Sequence, residues 1–166
     1  MVSTLAIAAA APGNYPQPRT LDGMSFGSAA QRARALPGDA DCPCGGGRGG
    51  ARYGECCGPF LAGAPAPTPE QLMRSRFTAF ALGDAAYLSE TWHPSTAPER
   101  LDLDAALHWE RLEIVRAEAT ATRGTVEFRA LWRPGATRGV LHEVSRFRFA
   151  AGRWYYVDGE VEQLEQ

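Results

Sequence analysis

The stretch TVEFRALWR, residues 125–133, gives the clearest indication of the fold, because apolar side chains recur in it at every second position. One side of the extended chain carries Val126, Phe128, Ala130 and Trp132. The opposite side is polar or charged except for Leu131. A period of two with one apolar side is typical of a strand in an antiparallel sheet that covers a core with one face.

Three neighbouring stretches complete a predicted sheet. Residues 140–149 alternate in the same way, and residues 153–157 form a short aromatic strand. Residues 108–117 have a weaker pattern and precede the other three. Pro134-Gly135 and Ala151-Gly152 are turn signals between the strands. The sequence therefore predicts four strands joined as an antiparallel meander.

The chain before these strands has the period of a helix. Thr68 is a candidate N-cap, and Gly83 is a plausible stop fifteen residues later. A second helix is predicted from Asp84 to a stop at Pro94, and a third over residues 99–106. The first helix has one apolar face, which carries Met73, Phe77, Phe80 and Ala81. Helices followed by an antiparallel meander predict an α+β fold with the helices packed on one face of the sheet.

The composition excludes several classes of protein. The chain has 166 residues, 45% of them hydrophobic, which is enough for one domain with its own core, or for one domain plus a small module. The net charge is −2, which argues against a DNA-binding face over the whole molecule. No window of 18 apolar residues predicts a membrane span. The apolar residues 5–11 lack a preceding basic residue, so no export signal is predicted and a cytoplasmic location is expected.

The chain divides into five parts by composition. Residues 1–41 are predicted to be a disordered leader, and residues 42–60 hold all the cysteines. Residues 61–68 are a linker rich in proline and alanine. Residues 69–160 carry the periodic patterns of the main domain, and residues 161–166 are a tail.

The cysteines form one cluster, consisting of Cys42, Cys44, Cys56 and Cys57. Two close pairs joined by a glycine-rich loop can supply the four ligands of a tetrahedral metal such as zinc, and iron suits the same ligands. Four protein ligands close the coordination shell, which indicates a structural centre rather than a catalytic one. Two disulfides, a redox pair formed by Cys56 and Cys57, and four unrelated thiols are the alternatives; the tight clustering favours metal binding.

The segments CPCGGGR and RYGECCGPF resemble the SEC-C motif, a small metal-binding element found at the C-terminus of the preprotein translocase ATPase SecA and in many bacterial proteins. The matching positions include the four cysteines, Pro43, Arg48 and Tyr53. Two features depart from the motif. Gly46 replaces a small hydroxyl residue, and three extra residues, Gly49-Gly50-Ala51, lengthen the loop.

Further segments resemble the YchJ family of bacterial proteins, in which a SEC-C motif precedes a domain similar to nuclear transport factor two. They are LMRSRFTAF (72–80), TWHPS (91–95), SRF (145–147) and WYYVDG (154–159). The resemblance covers residues 42–160 and implies a cone-shaped α+β roll preceded by a metal site. It implies no known reaction.

Rolls of this kind often bind ligands between the helices and the sheet, so three residues are candidates for such a pocket: Glu143, His93 and Asp158. Glu143 shares the side of its strand with Phe147 and is expected to face the core. A structural explanation competes in each case: Glu143 paired with Arg76 or Arg74, His93 at a helix end, and Asp158 in a turn with Gly159.

The sequence favours a non-enzymatic, adaptor-like metal protein. Its cysteine motif would hold zinc or iron and contact a protein or ribonucleoprotein partner, for example protein-export or ribosome-associated machinery. The first alternative is a roll that binds or converts a small molecule in a pocket containing Glu143, His93 and Asp158. The second is a thiol-redox protein using Cys56 and Cys57.

Overall fold

The computed structural model describes residues 33–46, 50–134, 136 and 138–165. Some residues with predictions lie outside the described ones: residues 1–32 of the predicted leader (1–41), Arg48 of the cysteine motif and Gly135 of a predicted turn. The elements are a 3-10 turn (Tyr53–Glu55), α1 (Gly58–Leu61), α2 (Pro69–Leu82), α3 (Ala85–Glu90), β1 (Leu107–Ala119), β2 (Arg123–Pro134), β3 (Gly139–Ala150) and β4 (Arg153–Glu165).

The four strands form one sheet in the order β1-β2-β3-β4, and each strand is antiparallel to its neighbour. This confirms the predicted meander. The inner face of β2 is the predicted one, since Val126, Phe128 and Ala130 are buried. β4 is longer than predicted and continues to Glu165, which pairs with Val140, so residues 161–165 belong to the sheet.

Helix α2 lies across the inner face of the sheet. Thr68 caps its first turn by accepting a hydrogen bond from the Gln71 backbone at 3.2 Å, and Gly83 ends it in the left-handed conformation with φ 74°. Side chains from the helices and the sheet make one core, which includes Met73, Phe77, Leu88, Trp92, Phe128, Leu141 and Tyr156. The fold is therefore the predicted α+β roll.

The predicted third helix is wrong, because residues 100–104 have no helical structure. Leu101 and Leu103 are half-buried, whereas Asp102 and Asp104 are exposed. Burial at every second residue requires an extended chain, and this segment adopts one before β1.

Backbone hydrogen bonds hold the cysteine segment together and join the residues before it to the roll. The backbone N–H of Cys42 donates to the Ala51 carbonyl at 2.9 Å, and that of Gly54 donates to the Gly38 carbonyl at 2.8 Å. The N–H of Arg34 donates to the Leu82 carbonyl at the end of α2. Contacts with the folded part of the chain therefore begin before Cys42, inside the predicted leader.

The linker, residues 61–68, is also held against the roll. The indole N–H of Trp154 donates to the Pro67 carbonyl at 3.3 Å, and Ala66 is buried in the common core. No helix in the described part of the chain is long and apolar enough to cross a membrane.

Candidate metal centre

Three short elements bring the four cysteines together. The backbone N–H of Cys42 donates to the Ala51 carbonyl, and Cys44 lies in the turn that follows. Cys56 follows the 3-10 turn, and Cys57 is the N-cap of α1. The ligand atoms all lie within 4.8 Å of one another. We call residues 42–60, with this cluster, the knuckle.

The spacing of the sulfur atoms fits a tetrahedral metal ion. The Sγ–Sγ distances are 3.6 Å for Cys42–Cys44, 3.5 Å for Cys44–Cys56 and 3.9 Å for Cys56–Cys57. A tetrahedron with zinc–sulfur bonds of about 2.3 Å has edges of about 3.8 Å. A disulfide would require about 2.05 Å, and all four cysteines are free. The cluster therefore has the chemistry and size to hold zinc or iron.

The thiols of the cluster differ in how readily they lose their protons. Hydrogen bonds from the Cys44 and Cys57 side chains hold the pKa of the Cys42 thiol far below its ordinary value. Burial, together with the neighbouring Cys44, raises the pKa of Cys56 to about 12. The pKa of Cys57 is raised by its hydrogen bonds with Cys42 and Cys44 and by burial. A metal ion binds ionised ligands, and its positive charge would compensate the negative charge of this buried cluster.

Groups outside the four cysteines contact the sulfur and carbonyl atoms of the cluster. The backbone N–H of Gly46 donates to Cys44 Sγ at 3.3 Å. Arg74, on α2, donates from Nη1 to the Cys44 carbonyl at 3.3 Å. The hydroxyl of Thr78, also on α2, lies 3.8 Å from Cys42 Sγ. Thr78 was not predicted as part of the site; its only signal was a hydroxyl residue at i+4 from Arg74 on the same helix.

The two departures from the SEC-C motif meet in the structure, where Gly46 lies against Ala51. Gly46 has φ 61°, and a Cβ atom there would lie 2.9 Å from the Ala51 Cα and closer still to other Ala51 atoms. Ala51 is one of the three extra residues. Ala51 lies against residue 46, so only glycine fits there.

We expect Gly46→Ser, which restores the usual residue of the motif, to destabilise the knuckle by about 2–4 kcal/mol, because it adds a steric clash to a left-handed conformation. Gly45→Ser is the matched control. Gly45 has φ 79° but nothing within 4 Å of its added Cβ, so it should lose only about 1 kcal/mol. Denaturant unfolding of the two variants measures the difference; equal losses would contradict the clash with Ala51.

In the roll, Glu143 faces the core as predicted and is fully buried. Its Oε1 accepts hydrogen bonds from Ser145 at 3.0 Å and from the Tyr156 hydroxyl at 3.5 Å. Burial raises the pKa of Glu143 to about 7, although Ser145, Tyr156 and the charge of Arg76 oppose the rise. Gly159 lies opposite and leaves no room for a side chain beside the Glu143 carboxylate.

The expected pairing of Glu143 with an arginine does not form. Arg76 is also fully buried, but its Nη1 donates to the Leu88 carbonyl at 2.8 Å and to Thr91 at 2.7 Å. Its guanidinium lies 4.4 Å from the centre of the Tyr156 ring. No ion pair between Arg76 and Glu143 occurs in the described structure, and Arg74 pairs with Glu70 instead. The positive charge of Arg76 therefore lowers the pKa of Glu143 from a distance, without a hydrogen bond between the two side chains.

His93 and Asp158 do not join Glu143 in one site. His93 follows α3, where its Nδ1 accepts from the Ser95 backbone at 3.2 Å. Asp158 lies inside β4 rather than in a turn, and its carboxylate accepts two hydrogen bonds from the exposed Arg146, on the outer face of the sheet. The three predicted pocket residues therefore have different neighbours and face different parts of the fold.

Aromatic rings fill much of the space between α2 and the sheet. Phe77 and Phe80 pack on Trp109 with ring centres 6.0 and 5.8 Å apart. A cavity of about 30 Å³ lies where the linker meets α2, α3 and β4, and none of the three candidate residues lines it. This volume suits one or two waters, not an organic substrate.

The raised pKa of Glu143 predicts a pH dependence of stability. Between the ordinary value of 4.5 and about 7, the folded state binds more protons than the unfolded state. Stability should therefore fall as pH rises through this window, by roughly 3 kcal/mol at most. Glu143→Gln should remove the fall, as measured by urea unfolding at a series of pH values. Glu113→Gln, an exposed carboxylate of β1, controls for net charge; parallel profiles for wild type and Glu143→Gln would contradict the assignment.

Comparisons with known proteins agree with this architecture. The family model described as "YchJ, middle NTF2-like domain" matches residues 68–159. A UPF0225 protein of Streptomyces coelicolor is 53% identical over 123 residues, covering 72% of this chain and 94% of that protein. One from Ralstonia nicotianae is 49% identical over 145 residues, covering 77% and 98%.

Two solved structures are similar over about three quarters of this chain. The solution structure of a SEC-C motif containing protein from Rhodopseudomonas palustris matches with a TM-score of 0.66 and 37% identity, over 75% of this chain and 100% of that one. The crystal structure of a SEC-C motif containing protein from Psychrobacter arcticus matches with a TM-score of 0.61 and 28% identity, over 74% and 82%. The resemblance inferred from the sequence motifs is confirmed.

Proposed function

Because the chain belongs to the YchJ family of UPF0225 proteins, we propose that it is a non-enzymatic metal protein whose knuckle holds one zinc or iron ion and presents its outer face to a macromolecular partner. The observation that carries the proposal is the grouping of the four sulfur atoms within 4.8 Å of one another, with three Sγ–Sγ distances of 3.5–3.9 Å that match the edges of a metal tetrahedron. Four thiolates would fill the coordination shell, so the metal would supply cross-linking and charge compensation rather than an open catalytic position.

The burial of the cluster supports a structural role for the metal. Cys42, Cys44 and Cys57 are at most 5% exposed and belong to the same core as the helices and the sheet. A metal there would tie residues 42–44 to residues 56–57 and fix both against α2. No observation of comparable strength favours a substrate pocket in the roll, or a redox role for the vicinal pair.

The knuckle has one face available to a partner. Arg52, Gly54, Glu55 and Pro59 are exposed, whereas Cys42, Cys44 and Cys57 are buried and the Cys42 sulfur lies against Thr78 of α2. The resemblance of the knuckle to the SEC-C element of SecA supports a protein or ribonucleoprotein partner in a cytoplasmic setting, such as export or ribosome-associated machinery. This part of the proposal rests on analogy and on the exposed face alone.

The metal is tested by elemental analysis and thiol titration of protein purified under reducing conditions without added metal. We expect about one zinc or iron per chain and four thiols that react only after unfolding or chelation. Cys42→Ser should lose the metal, with circular dichroism reporting the state of the roll. Metal-free wild type with four rapidly reactive thiols would overturn the proposal.

The partner is tested by binding of the metal-loaded protein to purified ribosomes and to purified components of the export machinery. We expect binding to one of them that weakens at least tenfold in the double variant Arg52→Glu, Glu55→Arg on the outer face of the knuckle. The matched control is Arg111→Glu, Glu113→Arg, which makes the same exchange at exposed positions of β1. Absence of binding, or equal loss in the control, would contradict an adaptor role for the knuckle.

A further inference from the structure

We propose that Thr78 is a positioning residue of the metal centre: its hydroxyl donates a hydrogen bond to the Cys42 sulfur and so determines how tightly the knuckle retains its metal. This inference rests on the proposed function, because it concerns the same four cysteines. It adds a residue from the roll, 36 positions further along the chain, to a site otherwise built from the knuckle.

The geometry leaves the Thr78 hydroxyl with sulfur acceptors only. Thr78 is fully buried, and its Oγ1 lies 3.8 Å from Cys42 Sγ. In the described part of the chain its hydroxyl has no oxygen acceptor, whereas Ser75 on the same helix donates to the Leu72 carbonyl. A buried hydroxyl without an acceptor is costly, so the proton of Thr78 points to the Cys42 sulfur.

The orientation of α2 explains why this residue meets the cluster. Arg74 and Thr78 are four positions apart and therefore share one face of the helix. Arg74 donates to the Cys44 carbonyl, and Thr78 reaches the Cys42 sulfur. Phe77, on another face of the helix, contacts Trp109 of the sheet. The packing of α2 on the sheet thus holds both polar contacts in place.

Hydrogen bonds of this kind have a definite effect on metal sites. A divalent ion with four thiolates carries a net charge of −2, and most of this cluster is removed from water. Donors to the sulfur atoms stabilise that charge and fix the ligands in position, and losing one such contact typically weakens metal binding 10–100-fold. Threonine suits the role because its branched side chain has few rotamers in a helix.

The test compares three variants of the full chain, each loaded with metal. Thr78→Val keeps the branched shape but removes the donor, and Thr78→Ser keeps the hydroxyl. Ser75→Ala is the matched control, because it removes another fully buried hydroxyl from α2 whose partners are the Leu72 carbonyl and, at 2.7 Å, the Tyr87 hydroxyl. The rate of metal transfer to a chromophoric chelator is measured for each, together with its thermal midpoint.

We expect Thr78→Val to transfer its metal 10–100-fold faster than wild type and Thr78→Ser to stay near wild type. Ser75→Ala should keep the wild-type transfer rate although its thermal midpoint falls. In cobalt-loaded protein, the sulfur-to-metal charge-transfer band should shift in Thr78→Val and not in Ser75→Ala. If Thr78→Val does not fold, Thr78→Ala provides the same comparison without adding bulk.

Two results would overturn the inference: a wild-type transfer rate in Thr78→Val, or an equally fast transfer in Ser75→Ala, which would show a general loss of stability. Neither result affects the proposed function. That proposal fails separately, if the wild-type chain takes up no metal.

Discussion

The structure depends on the burial of one helix on two sides. Most residues of α2 are buried, including Arg76 and Thr78, which is unusual for a helix in a small domain. One side packs against the sheet through Phe77 and Phe80, and another contacts the knuckle through Arg74 and Thr78. Without the knuckle, the second side of α2 would face water, and the cysteines are themselves buried by this contact. The cluster and the roll are therefore parts of one core rather than a module on a tether.

This shared core explains the character of both polar sites. In the knuckle, burial and the neighbouring sulfur atoms raise the pKa of Cys56 and Cys57, and a metal ion would compensate the charge of the ionised ligands. In the roll, Arg76 and Glu143 are buried without a direct ion pair, and Arg76 is held by the Leu88 carbonyl, Thr91 and two aromatic rings. Buried charges of this kind favour one packing of the chain over others, and they do not require a ligand.

Local patterns in the sequence predicted those parts of the fold that local physics determines. The alternation in residues 125–133 predicted the inner face of β2, and Thr68, Gly83 and Asp84 marked helix ends with their own capping groups. The four cysteines predicted their own cluster. The extended segment at Leu101 was mistaken for a helix, and Asp158-Gly159 resembled a turn, because contacts with distant residues decide both. Thr78 and Gly46 were missed as parts of the site for the same reason: their roles appear only when Cys42 and Ala51 lie beside them.

The central claim is that metal centre and roll form one cooperative unit. The most direct measurement is equilibrium unfolding of the cobalt-loaded chain in denaturant, followed at once by the sulfur-to-metal absorption band and by far-ultraviolet circular dichroism. If α2 joins the two parts as described, both signals should be lost in one transition with a common midpoint. Loss of the metal band at a lower denaturant concentration, with the circular dichroism of the roll unchanged, would show that the knuckle is an independent module.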